Sequence, residues 1–122
     1  MDTKALGQEG EEIAARYLLG NGYKILGRNF RTKIGEIDII AEKDKIICFV
    51  EVKTGTPEST VYFLPEFHVN HRKILKLRKL GEIYLNEHNL NRIGQKWRID
   101  VISVIFYEHG SNKIKHFENV TF

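Results

Sequence analysis

The chain predicts an α/β fold, with a central mixed sheet flanked by helices in the order α-β-β-β-α-β. Three observations carry this expectation: a helical repeat of apolar residues over Thr3 to Asn21, strand-like apolar segments between Tyr23 and Lys53, and a second helical stripe over Val69 to His88 followed by another apolar strand. At 122 residues and 42% hydrophobic content, the chain suffices for one core, and a single domain over residues 1–122 is expected.

In the first helix, Leu6, Gly10, Ile13, Ala14, Tyr17 and Leu18 recur at helical spacing, and Asn21-Gly22 supplies a stop. At about 100° per residue, Glu11 falls at the border of this stripe and Glu12 nearly opposite its centre. Glu11 is thus placed to look toward the sheet or to remain a solvated flank carboxylate near the helix's positive end. Tyr23 to Arg31 reads as the first strand, interrupted by Gly27 and leading into a basic cluster of Arg28, Arg31 and Lys33. Short polar turns at Lys33-Ile34-Gly35 and Glu42 to Lys45 favour an antiparallel arrangement, with Ile37 to Ala41 and Ile46 to Lys53 as a hairpin.

Thr54 to Phe67 contains Gly55, Pro57 and Pro65, and is expected to be a mobile loop positioned to cover a substrate beside Lys53. Along the second helix Leu77, Gly81, Tyr84, Leu85 and His88 form one stripe; Lys73 lies on it, whereas Arg72, Lys76, Arg78 and Lys79 lie off it. Trp97 to Tyr107 is the next core strand. Its Arg98 and Asp100 share a face, either compensating each other at the strand entry or serving a site. Lys113 to Phe122 adds a short edge strand.

A formal charge of +3 permits a polyanionic partner without demanding one. The single cysteine, Cys48, lies within the apolar run, which excludes an intramolecular disulfide and a cysteine-rich zinc site. The histidines at positions 68, 71, 88, 109 and 116 have no recognised ligand spacing, so surface or helix-end roles are expected. No apolar stretch reaches membrane-span length, and Met1 to Gly10 lacks a signal-peptide core. A cytoplasmic protein without a membrane partner is the expectation.

The chemistry concentrates between Gly35 and Lys53, GEIDIIAEKDKIICFVEVK. Alternation puts Glu36 and Asp38 on one face of the first strand, and Glu51 and Lys53 on one face of the second. A half-exposed hairpin with a surface ion pair would produce the same alternation. However, Ile46 to Val52 is almost continuously apolar, as in a strand covered on both faces, and charge buried there requires a partner. A divalent cation with a phosphate substrate supplies one, which points to a metal-dependent nuclease.

The order helix, three strands carrying Asp38 and then Glu51-Val52-Lys53, helix and strand resembles the PD-(D/E)xK, or restriction-endonuclease-like, superfamily. More narrowly, it resembles the YraN-like family of small bacterial proteins. The resemblance runs from about Gly7 to Val104 through GQEGEEIAARYLLGNGYKIL, RNFRTKIGEIDIIA, FVEVK, VNHRKILKLRKLGEIYL and RIDVISV. It implies catalytic roles for Asp38, Glu51, Lys53 and Glu11, with Asp38 and Glu51 as metal ligands and Lys53 at the attacking water. Glu36 falls on the family's Gly-Glu-Ile-Asp motif as a supporting residue.

The chain has Gly55 where the family commonly has arginine, and Val69-Asn70-His71-Arg72-Lys73 where it has Val-Thr-x-x-Lys. Hard oxygen donors suit Mg²⁺ or Mn²⁺, with the Val52 backbone carbonyl completing the set. Lys73, Arg28, Arg31, Lys33 and Arg98 are candidate nucleic-acid contacts, and Asp100 a supporting residue. The expected activity is that of an endonuclease-like phosphodiesterase acting on nucleic acid, DNA in preference to RNA, including branched or damaged DNA. A homodimer would suit such substrates. The alternatives are a non-catalytic nucleic-acid-binding module and a protein-interaction adaptor using the Thr54 to Phe67 loop.

Overall fold

A computed structural model describes residues 3–57 and 71–120. Its elements are α1 (Thr3–Gly20), β1 (Lys24–Thr32), β2 (Gly35–Lys43), β3 (Ile46–Gly55), α2 (His71–Glu87), β4 (Lys96–Phe106) and β5 (Asn112–Phe117). The five strands lie in the order β1-β2-β3-β4-β5. The first three form an antiparallel meander, β3 and β4 run parallel, and β5 returns antiparallel to β4. The expected mixed sheet is present. Most of the expected mobile loop, and the Val69-Asn70 start of the second helical stripe, lie outside the described residues; β3 continues through Thr54 and Gly55.

α1 ends as its sequence dictates. Gly22 takes φ +86°, while Tyr23 N–H donates to Leu18 O at 3.0 Å and Gly22 N–H to Leu19 O at 3.3 Å, closing a Schellman cap. The β2–β3 turn is tighter than the four-residue segment suggested: Asp44 and Lys45, with φ 52° and 65°, join strands that pair out to Lys43↔Ile46. At Gly27 the expected interruption is a register shift, since Ile25 pairs with Ala41 and Gly27 with Ile40.

The sheet separates two apolar layers. Leu18, Ala14, Ile39, Cys48, Val50 and Ile102 pack on the α1 side, and Phe49, Ile37, Leu77, Leu80, Tyr84 and Val101 on the α2 side. β3 is therefore covered on both faces, which accounts for its unbroken apolar run. Burial pushes the Cys48 thiol up to about 12, consistent with an inert structural residue. Helix approach depends on glycine twice. A Cβ on Gly10 would overlap Thr54 Cγ2, and one on Gly81 would lie 2.5 Å from Phe49 Cε2. Gly81→Ala is therefore expected to destabilise the protein by about 1–3 kcal/mol, because the fully buried Phe49 ring has no space into which to retreat. Urea unfolding measures this directly.

Candidate active site

The candidate site forms where the sheet opens. β2 and β3 pair from Lys43↔Ile46 only as far as Ile39↔Val50, whereas β3 stays paired with β4 through Gly55. Beyond Val50, the β2-facing edge of β3 is left without its strand ladder. The Asp38 carboxylate takes that place, accepting the Val52 N–H at 2.7 Å. Strict alternation also breaks here, since Ile37 packs on the α2 side and Ile39 on the α1 side. In a strand, the N–H and C=O of one residue face the same edge, so the Val52 carbonyl faces the opening beside Asp38.

Asp38 and Glu51 line one cleft, with a cavity of about 170 Å³, together with Gly35, Glu36, Lys73, Lys76, Leu77 and Leu80. Both acids are buried, at 7% and 8% exposure. Lys73 Nζ on α2 lies 3.1 Å from Glu51 Oε1, and Lys53 Nζ lies 3.9 Å from the same oxygen. Asp38 forms no salt bridge among the described residues. Burial, followed by repulsion from Glu51, pushes its carboxyl up to about 7 against the Val52 hydrogen bond.

The lysines respond in opposite directions. Burial and the adjacent Lys73 hold Lys53 below the usual lysine range. Burial acts downward on Lys73 as well, but Glu51, Lys53 and Asp38 together carry it above that range.

Glu11 stands next to this centre. Its Oε1 accepts from Asn29 Nδ2 at 2.9 Å, and it lines a second cavity with Lys4, Gly7, Asn29, Arg31 and Glu36. Glu36 borders both cavities and is paired with Arg31 at 2.7 Å. Among the described residues, no group of three His, Cys, Asp or Glu side chains is placed to hold one ion. The prospective donors are therefore Asp38, Glu51 and the Val52 carbonyl. This open, all-oxygen set fits Mg²⁺ or Mn²⁺, which retain waters and take substrate phosphate oxygens. Glu11 is close enough to bear on the charge of Asp38 without sharing that set.

The expected basic contacts divide. Lys33 is exposed in the β1–β2 turn, and Lys73 enters the cleft. Arg28 is instead paired with Glu12 at 2.8 Å, and Arg31 with Glu36. Lys76, off the apolar stripe, also lines the cleft; its side chain lies against Gly35, where an added Cβ would be 2.9 Å from Lys76 Cε. Only the fold of the β1–β2 turn beneath α2 reveals that contact.

Arg98 and Asp100 require a correction of place. Asp100 pairs in register with Val50, on the α1 side, whereas Glu51 pairs with Val101, on the α2 side. Asp100 is fully buried in a separate network. It accepts from Arg98 Nε at 3.0 Å and Asn119 N–H at 3.0 Å, and bonds His116 Nε2 at 2.8 Å, while His116 Nδ1 meets the Tyr17 hydroxyl at 3.1 Å. Burial alone would raise the Asp100 pKa, but these hydrogen bonds hold it below the usual carboxylate range. The pair compensates itself and ties β4 to β5 and α1. His116, a half-buried residue whose side chain is 8% exposed, is likewise a member of this network, in place of the surface role expected for it. Sequence reasoning misses Ser103: in register with Lys53, it is buried with no partner for its hydroxyl among the described residues.

A mixed sheet flanked by helices, with Asp38, Glu51 and Lys53 gathered where β2 leaves β3, defines an α/β protein of the restriction-endonuclease-like class. The chain belongs to the Uncharacterised protein family UPF0102, whose model matches residues 10–104. It is 46% identical over 117 residues to a UPF0102 protein of Syntrophomonas wolfei, covering 96% of this chain and 97% of the relative. A UPF0102 protein of Fervidobacterium nodosum is 45% identical over 113 residues, covering 93% and 79% of the two chains. One from Thermodesulfovibrio yellowstonii is 42% identical over 117 residues, covering 96% of each. No described helix is long and apolar enough to cross a membrane.

Proposed function

We propose that the protein is a divalent-metal-dependent phosphodiesterase that cuts nucleic acid, with DNA, including branched or damaged DNA, as its substrate. The observation that carries this reading is Asp38: a buried carboxylate with no salt bridge among the described residues, sharing a cleft with a second buried carboxylate. Glu51 already has Lys73 beside it, but ionised Asp38 next to Glu51 is costly, a cost that protonation avoids or a cation shared by the two carboxylates would offset. Asp38, Glu51 and the Val52 carbonyl would hold Mg²⁺ or Mn²⁺. When bound, the ion would acidify water and offset charge developing at phosphorus.

Hydrolysis forms a P–O bond from water and breaks the bond to the departing nucleoside oxygen, which takes up a proton. Lys53 Nζ is on the strand face of Glu51 and is suited to orient that water and oppose the growing negative charge. Lys73 and Lys76 line the cleft and Lys33 is exposed in the β1–β2 turn, so these cations are the candidates to meet backbone phosphates. Cleavage of single-stranded, duplex, flap or four-way-junction DNA by the wild type with Mg²⁺ or Mn²⁺ is the expected result. Binding without cleavage on every substrate would support a non-catalytic module instead.

DNA affinity should fall steeply with salt, as phosphate neutralisation releases counterions. Lys33→Ala is expected to reduce the slope of log affinity against log salt by about 1. Arg28→Ala should change it less, because Glu12 already offsets that guanidinium. Fluorescence anisotropy across a salt series distinguishes the two.

A further inference from the structure

We propose that Lys73 alternates between two partners: it occupies Glu51 in the ion-free protein and passes to a substrate phosphate when a divalent ion takes that carboxylate. This rests on the reading of Asp38 and Glu51 as the ion-binding pair. The two acids share a cleft but not their cations. Glu51 Oε1 has Lys73 at 3.1 Å and Lys53 at 3.9 Å, whereas among the described residues Asp38 has only the Val52 N–H as a hydrogen-bond partner. The positive charge is thus concentrated on one side of the prospective ion site.

The two lysines differ in their freedom to leave. Lys53 extends from β3, the strand that carries Glu51, and its side chain is 22% exposed. Lys73 reaches in from α2, and its side chain is 36% exposed. Its four-carbon stem can carry the ammonium toward the cleft mouth without moving the helix. Glu51, at 10% side-chain exposure, has little water with which to replace a departing cation.

A dipositive ion beside Lys73 and Lys53 would meet two ammonium groups. Moving Lys73 away relieves that repulsion and presents its charge where a phosphate must enter. Lys73 is therefore a positioning residue that links ion loading to phosphate capture: Mn²⁺ and substrate each favour the arrangement that the other requires.

The test is calorimetric titration of Mn²⁺ into the full chain without nucleic acid, comparing wild type, Lys73→Met, Lys73→Arg and Asp38→Asn, with folding checked by circular dichroism. Lys73→Met removes the competitor and should tighten Mn²⁺ binding by about tenfold, the scale of one charge-assisted hydrogen bond. Lys73→Arg keeps a cation with a more directional grip on carboxylate and should weaken binding below wild type.

Asp38-dependent binding that is unchanged or weakened in Lys73→Met would overturn the exchange while leaving the ion pair intact. Should Lys73→Met fail to fold, the arginine variant decides: weaker binding supports the proposal, and unchanged or tighter binding overturns it. Mn²⁺ binding independent of Asp38, or none in any variant, would overturn the exchange together with the ion-site reading beneath it.

Discussion

Asp38→Asn should make the metal-free protein more stable at about pH 8 while removing its response to divalent ions. The folded-state Asp38 pKa is raised from 3.8 to about 7, by burial first and Glu51 second. Between these values the folded chain binds more protons than the unfolded chain, so stability falls as pH rises through this window and stays reduced above it. Asparagine carries no charge and retains an oxygen for the Val52 N–H. The expected gain at about pH 8 is roughly 2 kcal/mol, discounting the full linkage value for relaxation around the site.

This gain corresponds to a rise in melting temperature on the order of 8 °C, measured with chelator present. Well below the unfolded pKa, the two proteins should converge. An Asp38→Asn protein that melts below wild type at high pH would show that the carboxylate stabilises the metal-free fold.

The second large effect falls on the reaction. Lys53→Ala should slow metal-dependent cleavage on the order of a hundredfold or more, about 3 kcal/mol, by comparison with removing one oxyanion donor. DNA binding and the fold should be largely retained. Lys53 contributes little to holding Glu51, which has Lys73 closer, so its work is expected in the transition state. Parallel cleavage rates and anisotropy separate these contributions. Cleavage as fast as wild type would remove Lys53 from the chemistry without removing the enzyme.

Much of the fold was legible in the sequence because its apolar periods are strong. The unbroken apolar run through Cys48 marked a doubly covered strand, and Asn21-Gly22 marked the end of α1. The convergence of Asp38, Glu51 and Lys53 was legible from alternation within a hairpin, reinforced by the family resemblance. The divergence that creates the opening was not, because strand periodicity does not reveal where a ladder stops or which side chain replaces it.

Arg98 and Asp100 show the limit of reading faces from alternation alone. It placed them together correctly, but the parallel register of β3 and β4 puts Asp100 on the face opposite Glu51. His116 and Tyr17, 99 positions apart, meet only because β5 returns along β4 beside α1. No local pattern could indicate that pairing. Lys76 is exposed, as a cation off the apolar stripe should be, but its place beside the cleft follows only from the β1–β2 turn that lies beneath α2.

The proposed metal-dependent phosphodiesterase activity rests on the buried carboxylate pair. Its most direct test is cleavage of one panel of single-stranded, duplex, flap and four-way-junction DNA by wild type and an Asp38→Asn, Glu51→Gln double variant, each with Mn²⁺ and with chelator. Wild type is predicted to cut at least one substrate with Mn²⁺ and none with chelator, and the folded double variant to cut none. Equal Mn²⁺-dependent cleavage by both proteins would show that Asp38 and Glu51 do not carry the activity, and no cleavage of any substrate by wild type would show that the protein is not a phosphodiesterase for DNA.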